Sequence, residues 1–173
     1  MRNPSGERVV NMVMMGLMTC LVIVATMFIK IPIPMTSGYV HLGDSMIFLA
    51  VLILGKKQGA FAAGVGSALG DILGGYAIWA PWTLIIKFVM AYIMGIFVER
   101  FGKKGETVGM VLAGIEMTAG YYVVSSMMYG SWIVTLMDIP WNVGQFAVGM
   151  VLATMLSAAL NKTPAKKYFQ KSA

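Results

Sequence analysis

Residues 66–87 read GSALGDILGGYAIWAPWTLIIK, and they place a carboxylate and an ammonium in a strongly apolar chain. The first part carries small residues at a spacing that lets membrane helices pack closely. A stretch rich in glycine, tyrosine and tryptophan follows, and Pro81 then suits the first turn of a new helix. We therefore predict one helix that contains Asp71, an aromatic outer loop, and a second helix that contains Lys87.

The composition of the whole chain is that of a membrane protein. Of its 173 residues, 58% are hydrophobic and 12% are charged, whereas a soluble domain is about 45–50% apolar and about a quarter charged. The fold class that we predict is an all-α integral membrane protein in a lipid bilayer. In a soluble protein, the net charge of +6 would suggest a nucleic-acid partner. In a membrane protein the positions of the charges matter more than their sum, so we expect no nucleic-acid partner. The single cysteine, Cys20, excludes a disulfide or a cysteine-based zinc site within one chain.

Apolar runs predict six transmembrane helices in one domain that covers residues 1–173. A spanning helix takes about 20 apolar residues, and the runs lie at residues 9–29, 42–54, 58–76, 82–98, 107–128 and 139–160. The second run is short, so we expect it to be tilted, to continue through Val40 and His41, or to be shielded by a loop. The first outer loop, KIPIPMTSGYV, has two prolines that exclude a regular helix and is a candidate cap over the outer face.

Positive charges are concentrated on one side of the predicted helices. The N-terminal tail, the 2–3 connection, the 4–5 connection and the C-terminal tail hold 11 of the 13 Lys and Arg residues. The opposite side holds only Lys30, and Lys87 lies within a helix. The positive-inside rule then places both termini in the cytoplasm. The first apolar run exceeds the h-region of a signal peptide, about 7–15 residues, so we interpret it as a retained helix.

A few polar side chains interrupt the helices, and ionisable groups inside a span are functional candidates by default. They are His41, Asp44, Asp71, Lys87, Glu116, Asp138, Asn142 and Gln145, and all except Glu116 lie toward the predicted outer end. Asp71 at a helix C-terminus faces the negative end of the helix dipole and needs a partner. For Lys87 three interpretations stay open: a structural ion pair with Asp71, contact with a ligand, or each in turn. Asp44 and Asp138 also fit simple first-turn carboxylates.

All four tryptophans lie at the predicted outer ends of helices 3–6. They are Trp79, Trp82, Trp132 and Trp141, and Tyr39, Tyr76 and Tyr129 join them. An aromatic belt normally decorates both membrane interfaces. A one-sided set beside convergent polar groups therefore favours a site for a small planar ligand. The alternative is that these aromatic residues form an ordinary belt at the outer interface, with no counterpart at the inner one.

Residues 38–87 resemble the substrate-binding S components of energy-coupling factor (ECF) transporters. The resemblance is carried by HLGD at 41–44, GKKQGA at 55–60, GSALGD at 66–71 and APWTLIIK at 80–87, which are specific in combination and weak singly. The stretch is most similar to the branch with riboflavin, hydroxymethylpyrimidine, pyridoxine and pantothenate members. The six-helix plan extends the resemblance to about residues 10–160.

The resemblance implies a vitamin-binding subunit in the plasma membrane of a prokaryote, with no cofactor. Such subunits hold their ligand between the outer ends of helices 4–6 and capping loops. They dock through helices 1–3 on a transmembrane coupling subunit of the EcfT type, and two cytoplasmic ATPase subunits drive the cycle. The substrate-binding candidates are Lys87, Glu116, Trp79, Trp132, Asn142, Gln145, Tyr76, His41 and Asp71. The docking candidates are Gly16, Cys20, Gly59 and Ala63, with Gly16 and Cys20 in place of the Ala-x-x-x-Ala that the family commonly shows.

The ligand that we favour is a pyrimidine- or pyridine-type vitamin precursor, hydroxymethylpyrimidine or pyridoxine. Aromatic side chains suit a planar ring, and one lysine can meet a carboxylate or a ring oxygen, so pantothenate and riboflavin stay open. An intramembrane enzyme with Glu116, Asp71 and His41 as acid–base groups is a second class. The sequence offers it no metal-ligand pair at helical spacing and no nucleophile–base constellation, so we expect no catalytic residue and no metal. A structural or regulatory membrane subunit without a ligand is the third class.

Overall fold

The computed structural model describes residues 4–33 and 38–164. Within them lie six α-helices: α1 Pro4–Phe28, α2 Gly43–Leu54, α3 Lys56–Leu73, α4 Ala80–Phe101, α5 Lys103–Tyr129 and α6 Asp138–Leu160. Two short strands, β1 Lys30–Pro32 and β2 Tyr39–His41, pair antiparallel between α1 and α2, and a 3-10 turn, Val134–Met137, precedes α6. Part of the predicted charge asymmetry (Arg2, Lys166, Lys167 and Lys171) and residues 34–37 of the first outer loop lie outside the described residues.

The helical fold class is confirmed, and the helices occur in the predicted order. Two junctions are a single residue long, because Gly55 with φ 79° and Gly102 with φ 56° adopt a conformation that glycine tolerates best. The chain therefore reverses between α2 and α3, and again between α4 and α5, without a loop. The largest difference in the predicted bounds is at α1, which begins at Pro4, five residues before the predicted start, and α3 ends at Leu73, three residues before its predicted end.

The short helix α2 lies at the centre of the bundle. Nine of its 12 residues are buried, and it packs on α1, α3, α4 and α6. The alternative that α2 continues through Val40 and His41 is wrong, because those residues form β2. Its length is explained by its surroundings, since neighbouring helices shield it.

The outer surface of the bundle is apolar. Within residues 4–33 and 38–164, four segments are long and apolar enough to cross a membrane: Arg8–Phe28, Ala80–Phe101, Lys103–Tyr129 and Val134–Leu160. They expose large hydrophobic side chains such as Leu84, Ile115 and Val151, which are 43%, 55% and 60% exposed. An exposed apolar surface of this kind is compatible with lipid and not with water.

Small residues let α3 pack closely on its neighbours, as predicted. A Cβ at Gly66 would lie 2.9 Å from the Val22 side chain in α1, and one at Gly64 would lie 2.8 Å from the Leu84 carbonyl oxygen in α4. Gly59 is equally confined, since its Cβ would meet the Val51 backbone in α2 at 2.8 Å. Ala63 is completely buried. The prediction that Gly59 and Ala63 dock on a partner subunit is therefore wrong, because both pack inside the bundle.

Candidate functional site

A cavity lies at one end of the bundle, beneath the β1–β2 hairpin. The ends of α3, α4, α5 and α6 meet there. The sequence predicts that these ends lie on the outer side of the membrane. The cavity holds about 410 Å³, a volume that includes its open mouth. Its lining residues are Ile33, Gly38, Tyr39, His41, Asp71, Trp79, Thr83, Tyr121, Ser125, Asp138, Asn142 and Gln145. The site thus combines a hairpin wall with residues from four helices.

Aromatic rings form a large part of the wall. The rings of Tyr39 and Tyr76 lie 4.1 Å apart between centroids, and the Lys30 ammonium lies 5.1 Å from each centroid. Lys30 also donates a hydrogen bond of 3.0 Å to the Gly74 carbonyl oxygen. Across the cavity, Trp79 packs on Tyr121 with centroids 6.2 Å apart. The hairpin is therefore held to the α3–α4 turn by a lysine and two tyrosines in contact.

Asp71 provides the carboxylate on the α3 side of the cavity. The Tyr39 hydroxyl donates a short hydrogen bond to Asp71 Oδ1. Burial, reinforced by the neighbouring Asp71 carboxylate, raises the pKa of the Tyr39 phenol above its ordinary value. The phenol therefore stays protonated and acts as a donor at neutral pH. This bond holds the hairpin to the C-terminal end of α3.

Asp138 provides a second carboxylate, at the start of α6. It is buried, and the Ser125 hydroxyl of α5 donates a short hydrogen bond to its Oδ2. Asn142, one turn further along α6, donates from Nδ2 to the Asp138 carbonyl oxygen at 2.9 Å. The α5–α6 side of the cavity is thus polar and fixed by hydrogen bonds.

A completely buried ion pair lies next to the cavity. The Lys87 ammonium of α4 binds Asp44 Oδ1 of α2, and both side chains are 0% exposed. The ammonium also lies 2.7 Å from the Met117 sulfur and 5.5 Å from the centroid of the Tyr121 ring. The other Asp44 oxygen accepts a hydrogen bond of 2.9 Å from the Gln145 amide nitrogen. Both charges therefore have direct partners, as a buried pair requires.

Gln145 connects this ion pair to the hairpin. While its nitrogen donates to Asp44, its Oε1 accepts a hydrogen bond of 2.9 Å from the His41 backbone N–H. The His41 ring is fixed in turn, because its Nδ1 accepts a hydrogen bond of 3.0 Å from the Gly43 N–H at the start of α2. A neutral imidazole is needed for Nδ1 to accept. Three elements, β2, α2 and α6, thus meet at one glutamine.

Acidification is expected to destabilise the fold through His41. Burial is the main cause that lowers the His41 pKa from 6.5 to about 3. The Lys87 and Lys30 ammonium groups also lower it, and the Asp44 carboxylate opposes them. The unfolded chain therefore binds a proton at this residue below about pH 6.5, whereas the folded chain does not. The free energy of unfolding should fall as the pH drops from about 6.5 toward 3.

Thermal unfolding in detergent at about pH 7.5 and about pH 4.5 measures this loss. A His41→Asn variant keeps an acceptor for the Gly43 N–H and removes the titrating group. It should lose less stability than the unchanged chain over the same interval. Equal losses would contradict the role of His41.

The structure brings five of the nine predicted binding residues to the cavity wall: His41, Asp71, Trp79, Asn142 and Gln145. Of the interpretations left open for Lys87, the ion pair with Asp71 is wrong, because Lys87 binds Asp44 and Asp71 accepts from Tyr39. Lys87 is not part of the lining, and its ammonium is already occupied by Asp44.

Three further predicted residues lie outside the lining. Tyr76 stacks on Tyr39 behind the wall. Trp132 is 54% exposed and packs its edge on Tyr122 with centroids 5.6 Å apart. Glu116 is half-buried in the middle of α5, and its Oε2 has no hydrogen-bond partner among the described residues.

The site also contains residues that the sequence did not single out for binding. Thr83 and Tyr121 line it and are joined by a hydrogen bond of 3.2 Å from the tyrosine hydroxyl. For Asp44 the sequence allows either a functional role or a first-turn carboxylate that the helix dipole favours. In the structure Asp44 is the partner of Lys87. Its position in HLGD was the available signal. Among the described residues, no three His, Cys, Asp or Glu side chains form a group that could hold a metal.

Comparison with known proteins gives a consistent set of similarities. Residues 7–162 match the family model of the ECF-type riboflavin transporter S component. The chain is 27% identical over 173 residues to the thiamine precursor transporter HmpT of Lactococcus lactis, a match that covers 99% of this chain and 100% of the relative. It is 44% identical over 110 residues to an uncharacterised protein of Pyrococcus woesei, covering 63% of this chain and 74% of that one.

Solved structures have the same fold. The S component of a bacterial ECF transporter superposes with a TM-score of 0.68 at 21% identity, over 88% of this chain and 96% of that chain. The S component for biotin from an ECF-type ABC transporter superposes with a TM-score of 0.72 at 16% identity, over 97% of this chain and 100% of that chain. At these identities the likeness concerns the fold alone.

Proposed function

The chain belongs to the family of ECF-type riboflavin transporter S components, the substrate-binding subunits of vitamin transporters, and we propose that its own ligand is a hydroxymethylpyrimidine-type thiamine precursor. The full-length similarity to HmpT, a thiamine precursor transporter, supports this choice. The observation that carries it is the charge of the cavity wall.

The cavity favours a neutral or amino-bearing ligand over an anionic one. Its described lining includes two carboxylates, Asp71 and Asp138, and no Lys or Arg. Lys87, the cation expected to meet a ligand carboxylate, is instead paired with Asp44. An anionic vitamin such as pantothenate would enter beside two carboxylates without a cation in the wall, and like charges at close range are costly. Neutral pyrimidines and pyridines avoid this cost.

The size of the cavity favours a single ring. The volume of about 410 Å³ includes open solvent at the mouth, so the enclosed part of the cavity is smaller than this figure. The flanking rings of Tyr39, Trp79 and Tyr121 offer faces for one planar heterocycle. A three-ring flavin fits this space less well, although the family model is named for riboflavin.

Titration of the purified protein with hydroxymethylpyrimidine tests the proposal. Saturable quenching of tryptophan fluorescence is expected, because Trp79 lies in the wall. The change should be lost in Trp79→Phe and kept in Trp132→Phe, since Trp132 lies outside the lining. Pyridoxine, pantothenate and riboflavin, measured by calorimetry, serve as competitors. The absence of binding by hydroxymethylpyrimidine, or tighter binding of any competitor, would overturn the assignment of the ligand.

The helices and the positions of the charges support a membrane topology. We propose one domain with six spans, in which α2 and α3 cross the membrane shielded by their neighbours and both termini face the cytoplasm of a prokaryotic cell. Lys56, Lys57, Arg100, Lys103 and Lys104 lie at one end of the bundle and the cavity lies at the other. Membrane-impermeant labelling of cysteines placed at Lys103 and at Ala77 tests this orientation. Labelling of the Ala77 position alone in intact cells is the expected result.

Transport requires partners that this chain does not itself contain. We propose that it assembles with a coupling subunit of the EcfT type and two cytoplasmic ATPases, as its family membership suggests. The exposed face of α1, which includes Gly16 and Cys20, is the candidate docking surface. A Cβ at Gly16 would meet no atom within 4 Å, so a partner helix has room to approach there. Co-purification of these subunits tests the assembly.

A further inference from the structure

Two polar atoms of the cavity-lining residues lack a hydrogen bond of normal geometry. They are Oδ2 of Asp71 and Nε1 of Trp79, and neither has a partner among the described residues. Asp71 is 2% exposed and Trp79 is 5% exposed, so bulk water does not satisfy them. Buried polar groups in native proteins are nearly always paired, and an exception calls for an explanation. The two residues line one cavity, and the two atoms have opposite hydrogen-bonding character.

The surroundings of Asp71 hold its carboxylate in place. Oδ1 accepts the Tyr39 hydroxyl, and the Thr83 side chain also interacts with the same carboxyl. Oδ2 keeps acceptor capacity, because a carboxylate oxygen has two lone pairs. What the site lacks at this oxygen is a donor, such as an amino N–H.

Trp79 is held just as firmly. Its ring packs between Tyr121 and Tyr129, with centroids 6.2 and 6.5 Å away, and its backbone N–H donates 2.9 Å to the Tyr76 carbonyl oxygen. The indole N–H is a donor only. Its complement is an acceptor, such as an unprotonated ring nitrogen.

We propose that Asp71 and Trp79 select the ligand by its hydrogen-bonding groups: a planar nitrogen heterocycle whose exocyclic amino group donates to Asp71 Oδ2 and whose ring nitrogen accepts from Trp79 Nε1. This inference rests on the proposed function, and it deepens it by naming the recognised atoms. A 4-aminopyrimidine has both groups. Its 4-oxo counterpart places a carbonyl acceptor where the amino donor was, so it faces the Asp71 carboxylate with the wrong polarity.

The experiment compares 4-amino-5-hydroxymethyl-2-methylpyrimidine with its 4-oxo analogue by calorimetry on the full chain in detergent. The unchanged protein should bind the amino compound about 10- to 100-fold more tightly, the range expected when a hydrogen bond to a charged group is replaced by a mismatch. Asp71→Asn should narrow this ratio at least about tenfold, because an amide can donate to the carbonyl as well as accept from the amine. Trp79→Phe should weaken both compounds, since both retain a ring-nitrogen acceptor.

Asp138→Asn is the matched control. It removes the same charge from the same cavity, but Asp138 already accepts from Ser125. It should change the affinities of the two compounds by the same factor and leave their ratio intact. A thermal unfolding scan of each variant establishes that it is folded.

The outcomes separate this inference from the proposed function. Equal binding of the two pyrimidines, or a ratio that Asp71→Asn leaves unchanged, would overturn the role of Asp71 while the ligand assignment stood. Affinities that Trp79→Phe leaves unchanged would overturn the role of Trp79. Binding of neither pyrimidine by a folded protein would overturn the proposed ligand itself, and the recognition scheme with it.

Discussion

Lys87→Met is expected to lower the free energy of unfolding by about 3–5 kcal/mol, the usual cost of removing one partner of a buried ion pair. The substitution replaces the ammonium with a side chain of similar length and leaves the Asp44 carboxylate with Gln145 as its partner. Because both charged side chains are 0% exposed, water cannot compensate. Such a loss is a large part of the total stability of a domain, about 5–15 kcal/mol. Yield and thermal unfolding in detergent measure it.

Two further variants make this result specific. Lys87→Met combined with Asp44→Asn removes both charges and keeps an acceptor for Gln145, so it should recover most of the lost stability. Lys57→Met, at an exposed lysine, should change the stability little. A Lys87→Met protein that folds normally and loses only ligand affinity would instead make Lys87 a ligand contact.

Gly149→Leu is expected to have the next largest effect, about 1–3 kcal/mol of destabilisation. Here α6 crosses α2 so closely that a Cβ would lie 2.9 Å from Asp44 Cβ and 3.2 Å from the Ser45 backbone nitrogen. Backbone cannot move aside as a flexible side chain can, so the two helices must separate. That separation would stretch the hydrogen bond from Gln145 to Asp44 and disturb the ion pair. The stability against unfolding in detergent should therefore fall, and the ligand should bind more weakly.

Gly144→Leu is the matched control on the same helix. A Cβ there would meet no atom within 4 Å, and leucine forms helix better than glycine by about 0.5–1 kcal/mol. This variant should be neutral or slightly more stable. If both leucine variants behaved alike, the close contact between α2 and α6 would not be the cause.

The helices were predictable because they depend on local patterns. Apolar runs bounded by charges, together with Pro81 near the start of α4, located each helix to within a few residues. The turn after Leu73 was harder, because glycine and aromatic residues there are compatible with a longer α3. The two strands of the hairpin were not predicted, since three-residue strands beside prolines carry no periodic signal.

The site was predictable in composition and less so in its pairings. Asn142 and Gln145 reach the cavity because their position in α6 fixes their face, and Trp79 reaches it because it lies directly before the start of α4. The partner of Lys87 was not predictable from proximity along the chain. Asp71 is 16 residues away and Asp44 is 43 away, but α2 passes through the centre of the bundle and brings Asp44 to the ammonium. Only the packing of α2 against α4 and α6 decides between the two acids.

Gln145 has a kinetic consequence. Lifting the hairpin from α6 breaks the hydrogen bond from the His41 N–H to Gln145, so the rate at which the hairpin opens depends on this bond. A net contribution of about 0.5–1.5 kcal/mol corresponds to about a twofold to tenfold slower opening. For the ligand that we propose, the residence time beneath the hairpin should then depend in part on an amide group that also stabilises the buried ion pair.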